Sequence, residues 1–144
     1  MKTTKIIDSM AKGYVIFSVL SLTYVSILGI ISPQQVMDMV QVKLTNTDAI
    51  SSIRGVYGGV GLTISMFLVF LLFNRPDWAL SFLVIFWGSY AISRIMTIFL
   101  DGGLGDFGSN WLIIESSLFL VGSIILIVRN LVGKTTELLY SVMD

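Results

Sequence analysis

The sequence contains no cysteine and no histidine, only two prolines, and charged residues at only 12% of its 144 positions. Each shortage excludes something. Without cysteine there are no disulfides, no thiolate nucleophile and no thiolate metal ligand. Without histidine there is no imidazole for haem or zinc and no Ser-His or Cys-His catalytic pair. No metal-ligand set and no cofactor motif replaces them, so the expectation is no metal and no cofactor. A soluble domain carries about a quarter charged residues, and half that density cannot cover a water-facing surface. The nine basic and nine acidic residues cancel, which leaves no electrostatic footprint for nucleic acid.

What the chain has instead is apolar length. Hydrophobic residues make up 55% of it, and the mean hydropathy is +0.89. A helix that crosses a bilayer needs about 20 mostly apolar residues, and four windows qualify: Gly13 to Ile31, Gly55 to Phe73, Trp78 to Leu100 and Trp111 to Val128. Pro33, the pair Arg75-Pro76 and the glycine-rich "DGGLGDFGSN" separate them. Backbone groups in lipid must bond within their own segment, which favours helices over strands of this length. The expected fold is all-α: a single domain over 1–144, a four-transmembrane-helix bundle with helices at about 13–31, 48–73, 77–100 and 110–129. The first segment lacks a small-x-small cleavage site and reads as an uncleaved anchor.

Lys2, Lys5, Lys12, Arg75, Arg129 and Lys134 fall on one side of that topology, and Lys43, Arg54 and Arg94 toward the other. By the positive-inside tendency both termini are cytoplasmic, with the bacterial inner membrane as the expected location. Between the first two spans, "SPQQVMDMVQVKL" opens with a serine-proline helix start. Val36, Met37, Val40 and Leu44 then share one side, predicting a short amphipathic helix on the outer surface.

Four charges lie where lipid is expected. Arg54 stands near the start of the second helix, for which Thr47 or Asp48 would serve as cap, followed by Gly55, Gly58, Gly59 and Gly61. Glycines at this spacing let a neighbouring backbone approach; the stretch lacks the lysine and strand-turn context of a phosphate loop. Arg94 is sixteen positions past Trp78, about 24 Å along a helix. Tyr90, Arg94 and Asp101 share its polar stripe. Glu115, four positions after Trp111, lies about 6–8 Å below the outer surface. Chain direction brings Arg54, Arg94, Asp101 and Glu115 to similar depth from three helices. Each intramembrane charge costs about 2.5–3.5 kcal/mol on insertion scales, so pairing is expected, with Arg94–Glu115 first and Arg54 beside it. Two readings fit: a lock that fixes helix register, or a polar pocket, lined by Tyr57 and Tyr90, that opens outward to a ligand's head.

"IRGVYGGVGL" at 53–62, "YAISRIMTIFLDGG" at 90–103 and "IIES" at 113–116 resemble the small bacterial membrane proteins of the domain of unknown function 4345 family. In that pattern an arginine-glycine pair opens helix two, helix three is rich in glycine and arginine and ends in aspartate-glycine, and helix four carries a glutamate. Arg54, Gly55, Gly58, Gly59, Arg94, Asp101, Gly102 and Glu115 match it, while Ser93 stands where the pattern commonly has glycine. The resemblance implies four helices and supplies no activity.

Three functions remain open. The chain binds membrane lipid, a small amphipathic ligand or a partner subunit (a second copy or another membrane protein) through the charged cluster. Alternatively it is a membrane enzyme acting on a lipid or isoprenoid with Glu115 or Asp101 as acid/base. As a third reading it is a transporter or channel subunit, which at this size requires oligomers.

Overall fold

The computed structural model describes the backbone of residues 2–143 and the side chains of residues 4–133. Among the described residues its regular structure is all helical, without strands: α1 (Lys2–Ile31), α2 (Pro33–Asp38), α3 (Thr47–Asn74), α4 (Pro76–Asp101) and α5 (Asp106–Met143). Four stretches, Thr4–Ile31, Thr47–Asn74, Pro76–Asp101 and Asp106–Gly133, are long and apolar enough to cross a membrane.

Local chemistry sets the boundaries. Asn46, rather than Thr47 or Asp48, caps α3 by accepting the Ala49 N–H at 2.8 Å, with Asp48 in the first turn where the helix dipole favours it. Arg75 ends α3 and begins α4 in one step: its N–H bonds Leu71 O at 2.7 Å while its own carbonyl accepts from Trp78. Pro76 then occupies the first helical position, where a missing N–H costs nothing. Gly102 leaves α4 with φ +106°, a conformation that only glycine adopts readily.

The helix after α1 is shorter than its apolar pattern implies. α2 stops at Asp38 because the chain turns through a left-handed residue, Gln41 at φ +58°. Val42 N–H bonds Met37 O at 3.0 Å and Gln41 N–H bonds Asp38 O at 3.1 Å, a Schellman arrangement with glutamine where glycine is usual. Val36 and Met37 are buried, but Val40 is exposed and Leu44 lies in the non-helical connection. Gln34 secures that connection, donating to Asp38 and to Val42 O and accepting the Leu44 N–H.

α1 touches each of the other three long helices and packs most extensively along α3, with the α4–α5 contact next; α3 and α5 occupy opposite corners. Val15, Leu68, Leu80, Leu83, Trp87 and Ile125 fill the interior. The exterior is also apolar: Leu20, Phe73 and Phe99 are 64%, 81% and 83% exposed.

The closest helix approach joins α1 to α3. A Cβ at Gly29 would lie 3.0 Å from Gly58 N, and one at Gly58 would strike Ile30 Cγ1 and lie 3.1 Å from Ile30 N. A Cβ at Gly61 would strike Ser26 Oγ. Through this crossing, Arg54–Val60 widens from α-helix to π-helix. Gly55 and Gly59 have nothing within 4 Å of a built Cβ, so of the four glycines only Gly58 and Gly61 make room for a neighbour within the chain.

The two kinds of glycine predict opposite behaviour. Gly58→Ala must displace Ile30 and should lower stability by about 1–3 kcal/mol, as overpacking does. Gly59→Ala should leave stability unchanged or slightly raised, since alanine is the better helix former. Unfolding in detergent micelles followed by circular dichroism checks both; equal losses would contradict the packing.

Candidate functional site

Arg94 lies on α4 seven residues before the helix end at Asp101, and Glu115 on α5 nine residues after its start at Asp106. The two helices are antiparallel neighbours, so positions about 10 Å and 13 Å from one shared end meet. Arg94 Nε donates to Glu115 Oε2 at 2.6 Å and Nη2 donates to Oε1 at 2.8 Å. This is a fork-to-fork pair, the strongest geometry available to these side chains. Glu115 is 2% exposed, Arg94 22%. The carboxylate is thus enclosed with both oxygens engaged, while the arginine side chain remains partly exposed.

Tyr90 sits one turn before Arg94, and Tyr57 comes from the π-helical segment of α3. Both lie near Arg94, and Tyr90 also lies near Tyr57 and Glu115. Tyr57 is 38% and Tyr90 46% exposed. Phe82, Phe86, Tyr90 and Arg94 follow one another every four residues along α4. The ring centroids of Phe82 and Phe86 are 6.0 Å apart and those of Phe86 and Tyr90 5.0 Å; Phe67 of α3 meets Phe82 edge-on at 6.2 Å. A half-buried aromatic row, Phe82 and Phe86 packed against the core, therefore leads to the arginine.

The other charges named from the sequence stand elsewhere. Arg54 donates from Nε to Ile30 O at 2.9 Å. That carbonyl lies in the last turn of α1, where helix acceptors lack partners and a cation opposes the dipole. Asp101 is exposed and forms no ion pair among the described residues. The cluster of four thus resolves into one pair, one helix cap and one free carboxylate.

A second charged group was not anticipated. At the opposite end of the bundle Arg129 joins Asp8 (Nε to Oδ1, 3.1 Å) and Asp77 (Nη1 to Oδ1, 2.5 Å), drawing together α5, α1 and α4. The sequence signal was available: Asp8 and Asp77 lie near the starts of α1 and α4 and Arg129 near the end of the fourth span, all at one face. Two further polar links cross the interior. Tyr14 donates to Leu118 O at 2.8 Å, passing over Gly122, where a Cβ would lie 2.7 Å from its hydroxyl. Trp87 Nε1 approaches Ser18 Oγ at 3.4 Å.

An open groove of about 360 Å³, lined by Thr23, Leu62, Ser65, Met66, Val69 and Phe70, shares no residue with the Arg94 site and is almost wholly apolar. No group of three or more acidic residues could hold a metal among the described residues.

The family described as a domain of unknown function, number 4345, matches residues 10–126. The matched stretch contains Arg54, Tyr57, Tyr90, Arg94 and Glu115, whereas Asp8 and Arg129 fall outside it. No curated protein and no solved structure matches the chain.

Removing one member of an enclosed ion pair strands the other and costs about 3–5 kcal/mol. An interhelical hydrogen bond in a membrane protein averages about 0.6 kcal/mol. Glu115→Ala should therefore destabilise several times more than Tyr14→Phe, and Arg94→Met with Glu115→Leu should recover most of the loss. Equilibrium unfolding in mixed micelles measures all three; equal effects of Glu115→Ala and Tyr14→Phe would contradict a desolvated pair.

Proposed function

The chain belongs to the domain of unknown function 4345 family, and from that premise we propose that it is a small four-span membrane protein that binds the polar head of a lipid-like molecule. The contact is made by the outward edge of Arg94, with Tyr57 and Tyr90 beside it. The observation that carries the reading is the asymmetry of the pair. Glu115 is sealed at 2% exposure, but Arg94 remains 22% exposed and makes no further hydrogen bond among the described residues. A pure lock needs no such opening. Ionisable groups at membrane depth are functional candidates by default, and an unused guanidinium edge beside two hydroxyls suits a head group better than a bare acyl chain.

The two other readings have less support. Both oxygens of Glu115 are held by guanidinium donors, which disfavours Glu115 as a base toward a substrate. A path across one copy is opposed by the fully enclosed Leu68, Leu80 and Leu83 in the core. The placement that goes with lipid binding is the bacterial inner membrane with both termini cytoplasmic. It rests on the basic residues gathered at the Arg75 side. The Arg94 site then opens toward the non-cytoplasmic leaflet.

Arg94→Lys keeps the charge but loses the planar fork. Lipid extracted with the purified variant should fall about tenfold relative to wild type, the worth of a charged hydrogen bond, at similar far-ultraviolet circular dichroism. Unchanged lipid retention in native mass spectrometry would remove the site. Orientation is checked separately, since the absence of cysteine gives a clean background: Thr45→Cys should react with an impermeant maleimide on intact spheroplasts and Asn74→Cys only after permeabilisation. The reverse pattern would invert the topology.

A further inference from the structure

We infer that the site selects a neutral amphiphile whose head is a hydrogen-bond acceptor, a carbonyl or ester, and discriminates against anionic head groups. The inference rests on the lipid-binding reading above and adds the chemical class.

An exposed arginine ordinarily suggests an anion, yet here the positive charge is already balanced. Glu115 lies directly behind Arg94, enclosed and held by two donors. An arriving phosphate or carboxylate would share one guanidinium with that carboxylate, leaving two negative charges on a single cation where water is excluded. Coulomb repulsion is weakly screened in such surroundings. No second cation helps. Glu115, Tyr90 and Tyr57 are the neighbours of Arg94, and Arg54 bonds the Ile30 carbonyl at the end of α1.

The donor–acceptor balance leads to the same class. A guanidinium carries five N–H donors, of which Glu115 takes two. The Tyr57 and Tyr90 hydroxyls donate to no protein group among the described residues, and both side chains are partly exposed. An unpaired hydroxyl away from water is costly. Both carboxylate oxygens that could accept from a ligand are already engaged. The opening therefore offers several donors, no free carboxylate acceptor and no net charge, which favours a neutral acceptor over an amine, a sugar or a phosphate. The Phe82–Phe86–Tyr90 row supplies an apolar track for the tail, with rings 6.0 and 5.0 Å apart leading to the arginine.

The test uses the full chain in dodecylmaltoside micelles and two probes with identical tails, dioleoylglycerol and dioleoylphosphatidic acid, quantified by native mass spectrometry. The expected result is retention of the diacylglycerol at least about tenfold above the phosphatidic acid. Tyr57→Phe with Tyr90→Phe should lower diacylglycerol retention about tenfold at unchanged melting temperature, which keeps the test open if Arg94 variants fail to fold. Equal or stronger retention of phosphatidic acid, abolished by Arg94→Lys, would overturn the neutral-head inference while leaving lipid binding intact. Retention of neither probe above a Phe99→Leu surface control would overturn both.

Discussion

A carboxylate inside an apolar bundle must be neutralised or matched, and Arg94 matches Glu115 with two hydrogen bonds of 2.6 and 2.8 Å. Much else in the upper half of the molecule follows from that requirement. Bidentate geometry fixes α4 against α5 in rotation and in height, because a slip of one residue moves a side chain by about 100° around the helix. The extensive α4–α5 contact is therefore set by polar geometry at one level and by side-chain packing below it. Gly88 contributes there: a Cβ would lie 2.9 Å from the Phe119 ring.

The other half of the bundle is organised differently. α1 and α3 meet through absent side chains, with Gly29 on Gly58 and Gly61 on Ser26, and the backbone widens into a π-helix where they touch. π-helical turns cost hydrogen-bond quality and recur at functional positions. Here the turn carries Arg54 to the end of α1 and Tyr57 to the neighbourhood of Arg94. One irregular turn thus links the packing of α1 and α3 to the site between α4 and α5. At the far end, Arg129 with Asp8 and Asp77 closes the bundle, and the apolar core lies between two polar ends.

The four spans were legible because twenty apolar residues in a row have few alternatives, and Pro76 and Gly102 mark their breaks. The Arg94–Glu115 pair was legible too, since rise per residue converts sequence position into depth and charges at equal depth seek one another. Arg54 was assigned to the same cluster because depth arithmetic weighs charges only. Its partner is a backbone carbonyl, Ile30 O, which every residue possesses and no sequence pattern marks. The Arg129 network was missed for a related reason: Asp8 and Asp77 lie just outside the apolar windows, and only side-chain reach brings them to one guanidinium. The length of α2 was overestimated because a left-handed glutamine at position 41 carries no glycine signal.

The central claim is that Arg94 and Glu115 form a single ionised, directly bonded unit shielded from water. Solid-state NMR of protein reconstituted in lipid bilayers measures this directly, with ¹⁵N-labelled arginine and ¹³C-labelled glutamate. The account predicts strong ¹⁵N–¹³C dipolar dephasing between Arg94 Nε and the Glu115 carboxyl carbon, and a carboxyl shift of the ionised form. A protonated carboxyl, or dephasing no stronger than for distant pairs, would contradict it.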